Sequence, residues 1–405
     1  MNGAPSQVDT FDPKPELAKH HGQPYAGKVK AVGSNGRPVG YLMRSPFEFR
    51  EHGRSGLPIS SLFPHTAKFA DDLCVLRSLY TDTAAHASGC LQMNTGSIFI
   101  GRPSLGAWLS YGLGTMNAAL PSFVVMTDPR GGPIGSASNW SAGFMPAAYQ
   151  GTLFRSIGSP LLDLATPEGT SDRTQRRSLD LLKSLNEEHL ALRPNESELV
   201  ARIESYELAF RMQTEASDVF DLSREPKSIH DLYGSVTHAR QLLITRRLIE
   251  RGVRFVQVFP SAYGVWDSHQ KLKDNHTRLC ATVDLPVAGL IRDLRQRGLL
   301  ERTLVVFCTE FGRTPGLEQR SGGVDGRDHH PNGFTIWMAG AGVKKGFVHG
   351  ATDELGYHAL GDGHYVTDLH ATTLHLLGLD NRRLHFPGRK RLEIDDGNVI
   401  HEILA

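Results

Sequence analysis

The chain has 405 residues, with 44 Lys and Arg against 43 Asp and Glu and a net charge of +1. This balance leaves no global field to draw in nucleic acid or an anionic membrane, so any charge-based recognition is local. With 40% hydrophobic and 21% charged residues, the chain is composed to fold around a substantial core, and no apolar run is long enough to span a bilayer.

Length permits two or three average domains, but α/β enzymes of this size often form around one sheet, and a single domain over residues 1–405 is expected. The four cysteines (Cys74, Cys90, Cys280 and Cys308) are scattered without a CxxC pair. That pattern reads as reduced, buried thiols and not as disulfides or a thiolate zinc site.

In chain order, Met1 to Ser6 reads as the turn after a strand, and Asp9 and Asp12 in PSQVDTFDPKP are candidate metal ligands. Asp12 before Pro13 is equally a plain turn signal. HASGCLQMNTG, His86 to Gly96, sets a histidine, a serine and a cysteine within about one turn of a helix that a Thr-Gly pair stops. Ser122 to Met126 is an apolar, β-branched strand.

Between about 131 and 226 the character changes. A Gly/Ser-rich loop leads into two polar helical segments, 174–192 and 196–218. In the second, Leu199, Ile203, Tyr206 and Phe210 recur at helical spacing, with Asn195 and Glu198 resembling a capping box. This stretch reads as an insertion covering the site.

Beyond it, a helix over 235–251 stops at Gly252 and a strand follows at 253–259. A helix over 275–297 stops at Gly298, followed by strands at 303–308 and 334–339. Nearly continuous apolar strands alternating with helices predict an α/β sandwich of mostly parallel strands with right-handed crossovers. Its site belongs at the carboxyl ends of the strands.

Three polar clusters fall near the ends of these predicted strands. One is Trp266-Asp267-Ser268-His269, with His276 further on; the second is Thr309 to Pro315, containing Glu310 and Arg313; the third is Gly326 to Pro331, containing Asp328, His329 and His330. Carboxylate and imidazole together suit hard-to-borderline divalent metals, and separate loops can feed one centre. None has the tight spacing of HExxH, and satisfied structural polar groups are the competing reading. Arg313 and Arg327 either bind an anionic substrate through a planar fork or pair with Asp325 and Asp328.

TLVVFCTEFGRTP, GRDHHPNGFTIWMAGAGVKKG, GAPSQVDTFDPKPEL and DLHATTLHLLGLD together closely resemble the planctomycete-type bacterial domain-of-unknown-function family 1501, from Asn2 to the GRKRLEIDDGNVIHEIL tail. That family resembles the alkaline phosphatase/sulfatase superfamily. The resemblance implies a three-layer α/β/α sandwich with a mostly parallel central sheet and a metal-dependent site. The divalent ion expected is zinc, calcium or manganese.

Carried over residue by residue, Glu310 stands for a superfamily Asp and Phe311 where its His would be. His329 or His330 matches the next His, and Asp267 with His269 the Asp-and-His pair. The Asp closing the first strand falls at Asn2, with that strand before Met1, and Asp9 is the substitute ligand. Counting back from Thr95-Gly96 puts His86 in the nucleophile position, as ligand, as general base or as a phosphorylated histidine, in that order. Ser88 or Thr83 serves after a small register shift, and Cys90 packs.

The implied activity is hydrolysis of phosphate or sulfate esters. The implied substrate is a small anionic ester such as a sulfated or phosphorylated sugar, with no nucleic-acid partner. The alternative is a non-catalytic binding or structural protein on a degenerated scaffold. The resemblance implies export or a periplasmic location, whereas the chain shows no signal segment and reads as cytoplasmic if Met1 is the true start.

Overall fold

The strands that organise the molecule are β1 (Leu73–Tyr80), β2 (Phe123–Thr127), β3 (Thr152–Phe154), β4 (Phe255–Phe259), β5 (Leu304–Phe307), β6 (Phe334–Gly340), β7 (Phe347–His349) and β8 (His364–Tyr365). They come from a computed structural model, which describes every residue except 26–32, 34, 35, 37, 162–167, 194, 195, 216, 319–324, 362 and 390–396. Asn195, the expected helix cap, lies outside the described residues.

The principal helices are α1 (His86–Thr95), α2 (Asp172–Leu192), α3 (Ser197–Glu215), α4 (Thr237–Glu250), α5 (Leu272–Gln296) and α6 (Val366–Leu376). The four strands read from the sequence are present as β2, β4, β5 and β6, within a residue or two of the expected ends.

Side chains alternate across the larger sheet, as the period of two requires. Val75, Trp337 and Ala339 pack with Leu243 of α4 and Leu279, Val283 and Leu290 of α5. Their neighbours Cys74, Leu76, Ile336 and Met338 pack on the other face with Met93 of α1 and Val366 and Leu369 of α6. Helices therefore cover both faces of the sheet.

The larger sheet is mixed, with parallel and antiparallel neighbours, where a mostly parallel one was expected. In the order β7-β1-β6-β5, with β8 also beside β1, strand β6 runs antiparallel to both β1 and β5. The connection from β5 to β6 carries loops and a two-residue ladder, Gly312–Arg313 with His329–His330, in place of a crossover helix. Antiparallel neighbours need no crossover. The second sheet, β3-β2-β4, is parallel throughout.

Helices α2 and α3 confirm helical character within 131–226. Their main packing, however, is on each other and on the β3-β2-β4 side. Leu208 and Met212 join Phe154, Val124, Met126, Ile244 and Leu248, and Arg176 forks onto Glu207 at 2.7 and 2.9 Å. The two helices thus buttress that sheet, while Asn139, earlier in the same stretch, accepts from Asn94 of α1 at 3.0 Å.

Candidate active site

Helix α1 opens on His86 and closes at Gly96, whose φ of 77° is the left-handed stop that the Thr-Gly pair predicted. This places the His86 ring, almost wholly buried, between two acids. Its Nδ1 donates to Glu310 Oε1 at 2.8 Å, and its Nε2 lies 3.2 Å from Asp267 Oδ2. Phe311 stacks on His86 at 4.9 Å and leans on His329 at 5.0 Å, forming an apolar wall. Gly89 makes room for that wall, because a Cβ there would stand 2.9 Å from the Phe311 ring.

Two further imidazoles meet the same carboxylate. His269 Nε2 and His329 Nε2 each lie 3.0 Å from Asp267 Oδ1 and 3.0 Å from one another. In each of the three rings the other nitrogen is tied to an oxygen. His86 uses Glu310, His329 Nδ1 donates to the Ala84 carbonyl at 2.7 Å, and His269 Nδ1 is 2.7 Å from Glu318 Oε2. With the other nitrogen so tied, each ring turns its Nε2 toward Asp267, the outer-shell arrangement that orients metal-ligating histidines.

The electrostatics agree. Burial alone would push the Asp267 carboxyl up, but the neighbouring imidazoles of His269, His329 and His86, and the charge of Arg313, hold it well below the usual carboxylate range. Burial, then Arg313 and His86, lower His329 below the ordinary histidine value against the pull of Asp267, favouring its neutral ring. Burial opposes charge on His86, yet Asp267 and Glu310 together raise its pKa. Glu310 is buried too, which would raise its pKa; the His86 ring and the Gly3 amide bring it below the ordinary value.

Behind the cluster lies the N-terminal loop. The Gly3 amide donates to Glu310 Oε1 at 2.7 Å and Thr309 Oγ1 donates to Oε2 at 2.9 Å. Gly3 has φ of 116°, and a Cβ on it would meet the Trp266 and Asp267 amide nitrogens at 2.8 Å, so no other residue fits without moving the loop. Arg313, fully buried, donates to the carbonyls of Ala4 (2.7 Å), Gly3 (2.5 Å) and Arg327 (3.1 Å) and to Asp267 Oδ1 at 2.6 Å. Four of the five guanidinium N–H donors are thus engaged by the protein, including one on Asp267 and none on Asp325 or Asp328.

Several expected residues stand apart. Asp9 pairs with Arg327 at 2.7 Å, both side chains fully buried, so it closes a charge pair inside the loop and does not reach the cluster. The two readings of Arg327 were an anionic substrate and a pairing with Asp325 or Asp328; its partner is Asp9. His330 points away, to the Tyr357 carbonyl. Ser88 is half-buried two residues into α1 and is not among the side chains meeting at Asp267. Cys90 is buried with its thiol pKa raised by burial and by Glu310, an unreactive environment. Glu310 stands one step back, as the partner of His86.

Among the described residues two overlapping triads remain, each with ligand atoms within 4.8 Å of one another: His86, Asp267 and His329, and His269, Asp328 and His329. The residues fit a divalent cation on two grounds. His86 Nε2 is buried without a hydrogen-bond partner, and three lone-pair-bearing atoms, Asp267 Oδ1 and the Nε2 atoms of His269 and His329, crowd within 3.0 Å. Such a mixed imidazole and carboxylate set suits zinc or manganese. Glu318 was missed, because nothing in GLEQR marks it as the partner of a histidine about fifty residues earlier.

Among solved structures, the chain is similar to the phosphonate monoester hydrolase SpPMH from Silicibacter pomeroyi. The identity is 12% and the TM-score 0.37, covering 84% of this chain and 71% of that one. It is also similar to Ps i-CgsB in complex with k-i-k-neocarrahexaose, at 12% identity and TM-score 0.38, covering 83% and 71%. No curated protein matches the chain. The family model for the protein of unknown function DUF1501 matches residues 1–404, and the chain belongs to that family.

Proposed function

We propose that the chain is a metal-dependent hydrolase acting on phosphate or sulfate esters, with His86 where a protein nucleophile would stand. One observation carries the reading: three imidazoles, each tied to an oxygen through its other nitrogen, aim Nε2 at the single carboxylate Asp267. His86, Asp267 and His329, with His269 and Asp328 beside them, would hold the ion. When bound, a divalent cation polarises the ester oxygen and lowers the pKa of water, so that hydrolysis needs no Ser or Thr.

The chain's own residues supply the rest. Glu310 keeps the His86 proton on Nδ1 and leaves Nε2 for the cation. Arg313 holds Asp267 ionised and fixed. Phe311 walls the cluster against water from one side, while Tyr263, about half exposed, stands edge-on to His86 at 6.2 Å on the open side. The amide end of α1 faces the same space and favours an anion, so a small anionic ester such as a sulfated or phosphorylated sugar suits the opening.

The engaged fork of Arg313 favours a second reading, a binding protein on the same scaffold. The two separate in one experiment. Protein prepared without chelators is assayed for bound metal, then for hydrolysis of aryl phosphates and aryl sulfates across zinc, manganese, calcium and magnesium. Metal that is retained by the parent and lost in Asp267→Asn, together with turnover that follows it, supports the hydrolase. A folded chain that takes up no divalent ion overturns it, and metal uptake without turnover leaves the binding reading.

A further inference from the structure

Two histidines meet at the outer edge of the larger sheet, and neither is among the side chains that gather at Asp267. Strands β7 and β8 both pair parallel with β1, one after the other: His349 stands beside Leu76 and His364 beside Leu79. Partners in register share a face of a sheet, so both imidazoles follow Leu76 and Leu79 to the face that α6 covers. There the rings approach Nε2 to Nε2 at 2.8 Å, with centroids 4.9 Å apart and planes 32° from one another. Both are partly exposed, so an ion from solution can reach them.

The spacing selects among metals. With metal–nitrogen bonds of about 2.0 Å, two imidazoles at right angles on one ion stand about 2.8–3.0 Å apart, whereas a tetrahedral pair stands about 3.3 Å apart. The observed 2.8 Å is the separation of a right-angled pair, and square-based shells of nitrogen and oxygen suit copper(II) and nickel(II). The rings are also backed. His364 Nδ1 faces Asp368 Oδ2 of α6 at 3.7 Å, and Asp368 is itself fixed by the amides of Tyr365 at 3.1 Å and Asn398 at 2.7 Å. A carboxylate behind one ring nitrogen turns the other toward an ion. His349 stacks on Phe347 at 6.4 Å.

An oxygen donor stands beside the pair. Glu402 belongs to the short helix His401–Ile403, which is held next to β7: the Lys344 amide donates to the Ile403 carbonyl at 2.8 Å, and Lys344 Nζ to the Glu402 carbonyl at 2.8 Å. The Glu402 carboxyl lies below its ordinary value, held there by its own amide and then, against slight burial, by His349, His364 and His401. Burial, then His364, lower His349 against the pull of Glu402, favouring the neutral ring that a metal needs.

We propose that His349 and His364 bind one divalent ion of the copper(II) or nickel(II) class, with Glu402 as an oxygen ligand, so that the ion staples the C-terminal helix to the sheet edge. This ion is independent of any held at Asp267 and of whether that cluster hydrolyses anything.

Nickel(II) is the probe. The full chain and its His349→Gln/His364→Gln double variant are titrated calorimetrically, and the parent is expected to take up one equivalent more than the variant, whatever the Asp267 cluster holds. Amide hydrogen exchange reads the staple: nickel should slow the Ile403 and Leu404 amides of the parent by about tenfold, and should not slow them in Glu402→Gln. Equal stoichiometry in parent and double variant overturns the site. Equal slowing in parent and Glu402→Gln, or none in either, overturns the staple. If the double variant does not fold, modification of His349 and His364 by diethyl pyrocarbonate is compared in the parent with and without nickel; protection of both supports the site, and equal modification overturns it.

Discussion

Acidification should expose a cost stored at His276, behind the cluster at Asp267. The ring is fully buried at the start of α5, and its Nε2 accepts the Ser6 amide at 3.0 Å, so its neutral form is built into the packing. Burial, then the nearby charges of Arg313 and Arg327, outweigh the attraction of Asp9 and depress its pKa from 6.5 to about 4. Between these values the unfolded chain binds a proton that the folded chain refuses. Stability is therefore full above about pH 6.5 and falls as the pH drops toward 4. At pH 5 the loss is about 1.5 units, or about 2 kcal/mol, and it approaches about 3 kcal/mol near pH 4. Urea unfolding followed by the fluorescence of Trp266, whose ring stands edge-on to His276 at 5.8 Å, measures it. His276→Gln keeps an acceptor for Ser6 and removes the titration, so its stability should fall less steeply by about one proton's worth over this range. Identical pH slopes for the two proteins, or a parent that gains stability on acidification, would refute the reasoning.

Other outcomes follow from the same geometry. Glu310→Gln should weaken divalent-metal binding by about 10- to 100-fold, because it only orients His86; Asp267→Asn should weaken it further. Calorimetric titration ranks them, and the reverse order would remove Asp267 from the centre. Asp9→Asn leaves Arg327 buried against a neutral partner and should cost about 3–5 kcal/mol in denaturant unfolding; a cost under about 1 kcal/mol would mean that the pair is not closed in solution. Arg313→Lys keeps the charge but cannot serve three carbonyls and Asp267 at once. It should lower both stability, by about 3 kcal/mol, and metal affinity, and unchanged affinity with lowered stability would separate the loop from the site.

What was legible in the sequence was what depends on local pattern. Continuous apolar runs announced β2, β4, β5 and β6, and Gly96, Gly252 and Gly298 marked helix ends that the structure keeps. The three polar clusters at strand ends converge because chain direction places those ends together. β1, the central strand of the larger sheet, escaped: in LCVLRSLY the apolar run breaks at Arg77 and Ser78, and Arg77 is accommodated by its bond to the Phe11 carbonyl at 2.9 Å and by Asp12 at 3.6 Å. The direction of β6 was equally hidden, since periodicity reports which face a side chain takes and not which way a strand runs. Pairings of charges across hundreds of residues could not be read at all. Asp9 looked like a ligand because its partner Arg327 lies 318 residues away.

Those long-range pairings explain why a cationic centre can be built from so few acids. Of the carboxylates first considered as ligands, Asp9 is neutralised by Arg327 and Glu310 is turned to His86, so Asp267 is the one that all three imidazoles share. Arg313 contacts Asp267 directly, and a buried guanidinium beside a metal ligand would ordinarily oppose a cation. Here it also donates to three backbone carbonyls, two of them in the N-terminal loop, which disperses its charge. Its electrostatic effect then falls mainly on protonation: it keeps Asp267 ionised and His329 inclined to the neutral form. Both are the states that a metal requires of its ligands. The loop is thus part of the site without entering it, since its carbonyls place the arginine that keeps the donor atoms ready.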